Sequence, residues 1–433
     1  MLLAVFSRIL DEDAAAGHLP PRRVLDAGCG VGVIGICAAS ALAALHNVPD
    51  VDAGQNSSLY IRCQDRDELA RLVTLHNAAH NNIPCSVLEA HTEPLLAGPP
   101  DELWDLILTN IPAKAGAPVL KDFIRRSICR LNPGGNGRPG GRVVLVVVHT
   151  LADFFREHIT AACAATDGSA ELFLEKKGAG HSVFVYGRKL PDAKKTTEPV
   201  TITPGFISRF PFYVRAAAEY IIEDIPIRIT AIHGASGFDA PGGAVLAAAK
   251  LTRRIGLQAL TAGSDTPFLV HEPGQGFFPC WLISYLLSEN INPRPFVLSG
   301  RNILALEAAR HNASQLTSMP VSVIPAVDLQ LGGAALQEAA GGRKYSVIAA
   351  FPELLPQSSL PVDQLNSLWN ALPPLLADGG ICIAAFGSSD AERFDRKKPG
   401  AANGADGTSG FTRLGSIKRK GFRASAYCYQ GKR

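Results

Sequence analysis

The sequence has few of the features that mark membrane, secreted or metal-stabilised proteins. Its longest apolar run, around residues 143–148, is far shorter than the roughly 20 residues that span a bilayer. Near the N-terminus, Asp11, Glu12 and Asp13 stand where a signal peptide would continue its apolar region, so no signal peptide is predicted. The nine cysteines include no Cys-x-x-Cys pair. They predict reduced thiols in a cytoplasmic protein and no metal site.

Charged residues are also scarce, at 19%, whereas hydrophobic residues make up 47% of the 433-residue chain. A chain of this composition can bury large hydrophobic cores, so a disordered or fibrous protein is excluded. The length predicts two or three domains. A segment at 191–204, with lysine, threonine and proline, is predicted to be a linker between residues 1–190 and residues 205–433.

Each half alternates short apolar segments with helix-like segments. In the first half, strands are predicted at 23–27, 59–64, 85–89, 103–109 and 141–148, with helices at 33–45 and 67–80. A terminal hairpin is predicted from 171–175 and 183–186. Strands that are apolar throughout and separated by helices indicate an α/β fold. We therefore predict a doubly wound, mostly parallel sheet with a terminal antiparallel hairpin in each half.

The two halves resemble each other in sequence. Residues 65–78 align without a gap with 300–313, residues 26–30 align with 272–276, and Trp104-Asp105 aligns with Tyr345-Ser346. The three matches occur in the same order and at nearly constant separation. This pattern predicts an internal duplication.

A glycine-rich turn follows the first predicted strand. Gly30, Gly32 and Gly35 form Gly-x-Gly-x-x-Gly, a pattern typical of dinucleotide-binding turns. Two acids argue against a nicotinamide cofactor. Asp26, just before the glycines, would crowd a pyrophosphate but would pair with a ligand ammonium group. Asp65, at the end of the second strand, is well placed to accept hydrogen bonds from both hydroxyls of a ribose.

Acid-x-Gly-x-Gly-x-Gly, followed by an acid at the end of the second strand, resembles the motif of class I S-adenosylmethionine (SAM) methyltransferases. The resemblance covers residues 20–190 and implies a Rossmann-like domain with SAM as its cofactor. The implied cofactor-binding residues are Asp26, Gly28, Cys29, Gly30, Gly32, Asp65, Arg66 and Asn110. A tight turn that binds another nucleotide is the alternative. Residues 91–93 either approach the adenine ring or form a plain surface turn, and Asp67 is expected to be a first-turn helix acid.

Asn110, Ile111 and Pro112 follow the fourth predicted strand. They resemble the Asn-Pro-Pro-aromatic segment of the methyltransferase small domain family, which includes rRNA guanine-N2 methyltransferases and glutamine methyltransferases. The resemblance implies that the Asn110 oxygen and the Ile111 carbonyl accept hydrogen bonds from the acceptor amine, with Pro112 holding the loop. Ile111 and Ala113 replace the first proline and the aromatic residue of that segment. The identity of the methyl acceptor, and whether the protein turns over, are therefore left open by the sequence. Asn110 as a simple loop cap is the alternative.

The second half lacks most of the cofactor residues. The sequence alignment puts Phe278 at the position of Gly32 and Gly300 at that of Asp65. We therefore predict that residues 205–433 are a degenerate methyltransferase-like copy that binds substrate, with Phe277 and Phe278 as a hydrophobic plug. Tandem copies with one silent half resemble the rRNA guanine-N2 methyltransferases, in which the silent copy comes first.

Basic residues are concentrated in the region from Arg393 to Arg433. Such a region suits RNA, or it serves only as a solvated surface. Taken together, the sequence predicts a cytoplasmic SAM-dependent methyltransferase that modifies RNA, rRNA above all, at an exocyclic base amine such as guanine N2. The alternatives are a protein glutamine or amide N-methyltransferase and a SAM-binding pseudoenzyme that binds RNA without turnover.

Overall fold

The computed structural model describes residues 1–46, 59–99, 101–135, 137–189, 206–237, 239–256, 266–354, 363–399 and 410–431. The chain divides into two compact units, Met1–Thr203 and Pro204–Arg433. The predicted linker at 191–204 lies outside the described residues. None of the described helices is long and apolar enough to cross a membrane. All nine cysteines are free thiols.

The N-terminal unit is a seven-stranded sheet with helices on both faces. Its strands lie in the order β3-β2-β1-β4-β5-β7-β6, and β7 alone runs in the opposite direction to the other six. The helices are α1 (Leu2–Ala15), α2 (Val33–Leu45), α3 (Glu68–His80), α4 (Ala117–Cys129) and α5 (Ala152–Ala164). The strands are β1 (Arg23–Ala27), β2 (Tyr60–Asp65), β3 (Leu88–Thr92), β4 (Leu106–Asn110), β5 (Arg142–Val148), β6 (Ala170–Lys177) and β7 (His181–Arg188).

Local sequence accounts for most of these elements. The strand β5 is buried along nearly all its length because helices cover both faces of the sheet. Asp67 is the N-cap of α3, since its side chain accepts a hydrogen bond from the Leu69 N–H at 2.9 Å. It therefore lies just before the first turn, where Glu68 is the acid, and not within that turn as expected. The strand β3 begins three residues later than predicted, because Val87 N–H and Leu88 N–H both close a turn on the Pro84 carbonyl.

The C-terminal unit contains a second seven-stranded sheet and a separate hairpin. The sheet order is β12-β11-β10-β13-β14-β16-β15, and β8 pairs only with β9. The helices are α6 (Phe206–Arg209), α7 (Gly243–Ile255), α8 (Phe277–Ser288), α9 (Ile303–Ser314), α10 (Gly333–Ala339), α11 (Gln364–Leu375) and α12 (Ser388–Arg396). The strands are β8 (Val214–Ile222), β9 (Ile225–Ile232), β10 (Phe268–His271), β11 (Phe296–Gly300), β12 (Val321–Pro325), β13 (Tyr345–Ala350), β14 (Leu376–Gly387), β15 (Gly410–Arg419) and β16 (Phe422–Gln430).

The two large sheets have the same strand order, the same crossovers and the same antiparallel hairpin at one edge. Each sheet is covered on both faces by hydrophobic clusters of its own unit. The predicted fold, two tandem Rossmann-like domains with terminal antiparallel hairpins, is therefore confirmed.

The backbone of the two glycine turns corrects one detail of the sequence alignment. Gly32 and Gly276 immediately precede α2 and α8 and have φ of 83° and 97°. Gly30 and Gly274, two residues earlier, both have φ of 55°. Gly32 therefore corresponds to Gly276, and the predicted match of Gly32 with Phe278 is wrong by two residues. The alignment slipped because Gly-x-Gly offers two registers, whereas the helix start allows only one.

Candidate active site

The turn between β1 and α2 leaves open space in front of its first glycines. Gly28 and Gly30 have φ of 78° and 55°, in the left-handed region that glycine adopts without strain. A Cβ atom on Gly30 would meet no atom within 4 Å, and one on Gly28 would meet only Leu95 Cδ2, at 3.9 Å. A ligand can therefore approach the backbone closely at both positions.

The last two glycines of the turn serve packing instead. A Cβ atom on Gly32 would lie 2.7 Å from Thr74 Cγ2 of α3, and one on Gly35 would collide with Cys63 Sγ of β2. Cys29, between the open glycines, is buried, with its thiol 3.7 Å from Thr74 Oγ1. Gly32 and Cys29, both predicted to bind the cofactor, thus pack the turn against Thr74 of α3.

Asp65, the last residue of β2, holds the turn in place. Its Oδ2 accepts a hydrogen bond from Gly30 N–H at 3.0 Å, and its Oδ1 accepts one from Asp67 N–H at 3.0 Å. A carboxylate has about four acceptor positions, so both oxygens keep capacity for ligand hydroxyls. Arg66, the next residue, is exposed in the turn between β2 and α3.

Asp26 lies beneath the turn and is completely buried. Its Oδ2 accepts a hydrogen bond from Gly35 N–H at 2.7 Å, whereas its Oδ1 is buried and has no partner within the described structure. Burial raises the pKa of Asp26 to about 7, although the Gly35 hydrogen bond lowers it and the charge of Asp65 raises it further. A buried acceptor without a partner is uncommon and indicates a site for a donor.

Residues 91–93, at the end of β3, form local contacts. The Glu93 carboxylate accepts hydrogen bonds from Arg62 at 2.7 Å and from Gln64 at 2.8 Å, and His91 lies 3.1 Å from Glu89. These partners belong to β2 and β3. The contacts therefore join β3 to β2 at the edge of the sheet.

Asn110, the exposed last residue of β4, borders a cavity of about 430 Å³. Ile111 turns its side chain into the hydrophobic core, and Pro112 is exposed at the start of the next turn. The cavity is lined by Met1, Leu2, Ile34, Asn110, Val146, Gly178, Ala179, Gly180 and His181. The turn at 178–181 and the start of α1 form walls that the sequence pattern did not indicate.

The cavity and the glycine turn share the beginning of α2. Ile34 lines the cavity, and it lies two residues after Gly32, where the turn passes into the helix. The structure thus brings together the open glycines, the end of β2 and the end of β4. This is the carboxyl edge of a parallel sheet, where ligands bind in open α/β folds.

In the C-terminal unit, the equivalents of these groups are changed in a concerted way. Counted from the helix start, Val270 occupies the position of Asp26, and Pro279 occupies that of Gly35. The acceptor and the donor of one hydrogen bond are therefore both missing. Asp26 does not correspond to Glu272, contrary to the sequence alignment.

Glu272 occupies the position of Gly28 and has a φ of 54°. Its Oε1 accepts a hydrogen bond from Arg301 N–H at 2.8 Å, and its Oε2 lies 2.9 Å from where a Cβ atom on Gly300 would be. A carboxylate side chain thus enters the space that Gly28 leaves open. Gly300 ends β11 as Asp65 ends β2, so the predicted loss of the second acid is confirmed.

In the C-terminal unit, two phenylalanines occupy the positions equivalent to two residues that line the cavity of the N-terminal unit. Phe278 corresponds to Ile34, and Phe351, directly after β13, corresponds to Asn110. Their ring centroids are 5.0 Å apart, and Phe278 is fully buried. The predicted plug is therefore present, but it stands at the equivalent of the Asn110 cavity.

Acidic residues neutralise much of the basic region from Arg393 to Arg433. Ion pairs join Arg413 to Asp395 at 3.1 Å and Arg419 to Glu223 at 2.6 Å. Further pairs involve Lys397 with Asp363, Arg393 with Asp390, and Arg423 with Glu392 and Asp395. Lys418 and Lys420, near the turn between β15 and β16, are exposed. Residues 400–409 and 432–433 of the region lie outside the described residues.

Comparison with known proteins identifies the domain. Residues 5–165 match the family model of the methyltransferase small domain. Among solved structures, the 16S rRNA N2 guanine methyltransferase RsmC of T. thermophilus, in complex with AdoMet and guanosine, has a TM-score of 0.53 at 14% identity. That similarity covers 95% of this chain and 88% of the RsmC chain, so it spans both units. No curated protein sequence matches the chain.

Other solved methyltransferases resemble less of the chain. The ribosomal protein L11 methylase of Lactobacillus delbrueckii subsp. bulgaricus is 21% identical, with a TM-score of 0.30, over 42% of this chain and 78% of its own. Magnesium protoporphyrin IX methyltransferase of Synechocystis PCC 6803 is 14% identical, with a TM-score of 0.31, over 43% and 79%.

The family match lies in the unit that carries the open glycine turn and the Asn110 cavity. The N-terminal unit is therefore a class I SAM-dependent methyltransferase domain of the methyltransferase small domain type. Its cofactor is SAM, which confirms the predicted enzyme class and cofactor. Within the described ranges, no three His, Cys, Asp or Glu side chains are grouped so that they could hold a metal ion.

Proposed function

We propose that this protein methylates an exocyclic base amine of RNA, with rRNA as its main substrate. One observation carries the proposal: Asn110 lines the same cavity as Ile34, which lies two residues after Gly32 of the glycine turn. An acceptor in this cavity would lie beside Asn110 and the first turn of α2, which follows the glycine turn. The proposal extends to a cytoplasmic location.

The residues around the glycine turn suit SAM. Gly28 and Gly30 border open space, so backbone can meet a ligand without a side chain between them. The partnerless Asp26 Oδ1 suits the donor of an ammonium group, and Asp65 has acceptor capacity for ribose hydroxyls. When bound, SAM supplies a methyl group on a positively charged sulfur, a strong electrophile.

Asn110 is proposed to orient the acceptor amine. An exocyclic amine shares its lone pair with the base ring, so its nitrogen is a poor nucleophile until that conjugation is reduced. Acceptors on the two amine hydrogens favour the geometry in which the lone pair is released. The Asn110 side-chain oxygen and the Ile111 carbonyl are the proposed acceptors, and the buried Ile111 side chain and Pro112 hold them in position. Positioning and fixed dipoles then supply most of the catalysis, without a strong base.

The C-terminal unit is proposed to bind substrate and not SAM. Glu272 enters the space that Gly28 leaves open, Val270 and Pro279 replace the Asp26–Gly35 pair, and Phe278 and Phe351 fill the second cavity position. A unit with these changes keeps the fold and loses the room for a nucleoside ligand. Its remaining role in the proposal is to hold RNA.

Two features favour RNA as the substrate. RsmC, which resembles this chain over both units, acts on guanine N2 of 16S rRNA. The exposed Lys418 and Lys420 are cations that suit phosphates, which dominate the affinity of proteins for nucleic acids. The competing proposal is methylation of a protein side-chain amide, because an amide nitrogen needs the same two acceptors.

Transfer of tritium from labelled SAM tests these alternatives. Total RNA and total protein from cells that lack the enzyme would each be incubated with the full chain and with its Asn110→Ala variant. We expect label in RNA, released as a methylated base on nuclease digestion, and a much lower rate with the variant. Label confined to protein would refute the RNA proposal, and SAM binding without any transfer would indicate a pseudoenzyme.

A further inference from the structure

Among the described residues that line the Asn110 cavity, His181 has the one ring side chain. Of the nine residues that line the cavity, seven are glycine, alanine, methionine or aliphatic residues, and the two with polar side chains are Asn110 and His181. A nucleobase in a protein site is held mainly by stacking on a planar side chain and by hydrogen bonds at its edge. Ala113, which replaces the aromatic residue of the family motif, is not among the lining residues. His181 is therefore the residue that can offer a flat surface to a base.

The backbone around His181 is held firmly. His181 is the first residue of β7, and its carbonyl accepts a hydrogen bond from Gly178 N–H at 2.8 Å. His149, just after β5, donates its N–H to the Gly180 carbonyl at 2.9 Å, and its Nδ1 lies 3.2 Å from Ser182 Oγ. The backbone of the turn is thus held by hydrogen bonds at Gly178, Gly180 and His181.

The second sheet shows that the position accommodates an aromatic ring. Val148 of β5 pairs with His181, and the equivalent Gly387 of β14 pairs with Phe422. The same turn contact recurs, because Ser388 N–H donates to the Gly421 carbonyl at 2.9 Å. Phe422 packs against Gly243 at the start of α7. Phenylalanine at this register position is therefore compatible with the fold.

We propose that His181 stacks on the methyl-accepting base while Asn110 binds its exocyclic amine. This inference rests on the proposed function and names the acceptor as a planar, amine-bearing nucleobase. The two residues lie on different strands, β4 and β7, on either side of β5. One group therefore holds the face of the base and the other holds its edge.

The test uses the full chain saturated with S-adenosylhomocysteine and the fluorescent nucleoside 2-aminopurine riboside, whose emission is quenched by stacking. We expect quenching in the wild type. His181→Ala should weaken binding about tenfold and remove most of the quenching, since stacking typically contributes this much per base. His181→Phe should stay within about threefold of the wild type. The exposed His80 of α3 provides a matched control, as His80→Ala should change nothing.

The kinetics of methyl transfer to RNA provide a second, independent measurement. His181→Ala should raise the KM for RNA about tenfold, and the affinity for SAM should stay unchanged. An unchanged KM and riboside affinity in His181→Ala would overturn the inference. So would normal binding by His181→Gln with loss in His181→Phe, since that result means hydrogen bonding without stacking. If the wild type quenches the riboside but methylates only protein, the proposed function fails while the stacking surface stands.

Discussion

The buried carboxyl of Asp26 gives a pH dependence that can be measured without any ligand. Its pKa is about 7 in the folded protein, raised mainly by burial, against 3.8 for an ordinary aspartate. Between these pH values the folded state binds a proton that the unfolded chain has released. The contribution of Asp26 to stability is therefore largest below pH 4, falls as the pH rises towards 7, and is constant above that.

The size of the effect follows from the same two values. Each pH unit between 3.8 and about 7 changes the free energy of unfolding by at most about 1.4 kcal/mol, so the full effect is roughly 4 kcal/mol. Asp26→Asn is the matched variant, because its side-chain oxygen still accepts the Gly35 hydrogen bond and the amide does not titrate. Burying the amide N–H₂ carries a cost that is independent of pH.

Hydrogen exchange followed by mass spectrometry measures the free energy of local opening, and therefore its pH dependence near Asp26. The wild type and Asp26→Asn would be compared at each pH from 4 to 8, on peptides from β1 and β2. We expect the opening free energy of the wild type, relative to the variant, to fall by up to about 4 kcal/mol over this range. Peptides from β10 and β11 are the internal control and should not differ. A difference that is the same at pH 4 and pH 8 would refute the reasoning.

The remaining predictions concern ligand binding and transfer. Asp65→Ala should weaken SAM binding by roughly 1.5–3 kcal/mol in calorimetry, because the acceptor and the Gly30 anchor are both lost; unchanged affinity would contradict this. Asn110→Ala should keep SAM affinity and slow methyl transfer, so loss of SAM binding would make it a cofactor residue. Replacing Lys418 and Lys420 with alanine should flatten the dependence of RNA affinity on salt by about 1.4 log units per log unit, and an unchanged slope would mean that these lysines only aid solubility. The full chain should bind one SAM, and a stoichiometry of two would refute a degenerate C-terminal unit.

Local signals in the sequence determined the order of helices and strands in the N-terminal unit. Burial on both faces and helical spacing are properties of short segments, so β1 and α2 have the predicted bounds. The duplication and the cofactor motif were also visible, because glycine and acidic residues at strand ends occur in short, ordered patterns. Asp65 and Asp67 were placed correctly at the end of β2 and the start of α3 for the same reason.

Tertiary structure alone decided which distant residues share a site. The cavity beside Asn110 combines α1, the start of α2, β5 and the turn at 178–181, and their proximity follows from sheet order and not from spacing in the sequence. The helix starts, and not the glycine spacing, set the correspondence of the two turns, because only the backbone shows that Gly32 and Gly276 share one conformation. Phe278 and Phe351 are in contact for a related reason. Parallel strands place their carboxyl ends at the same edge of a sheet, however far apart the strands lie along the chain.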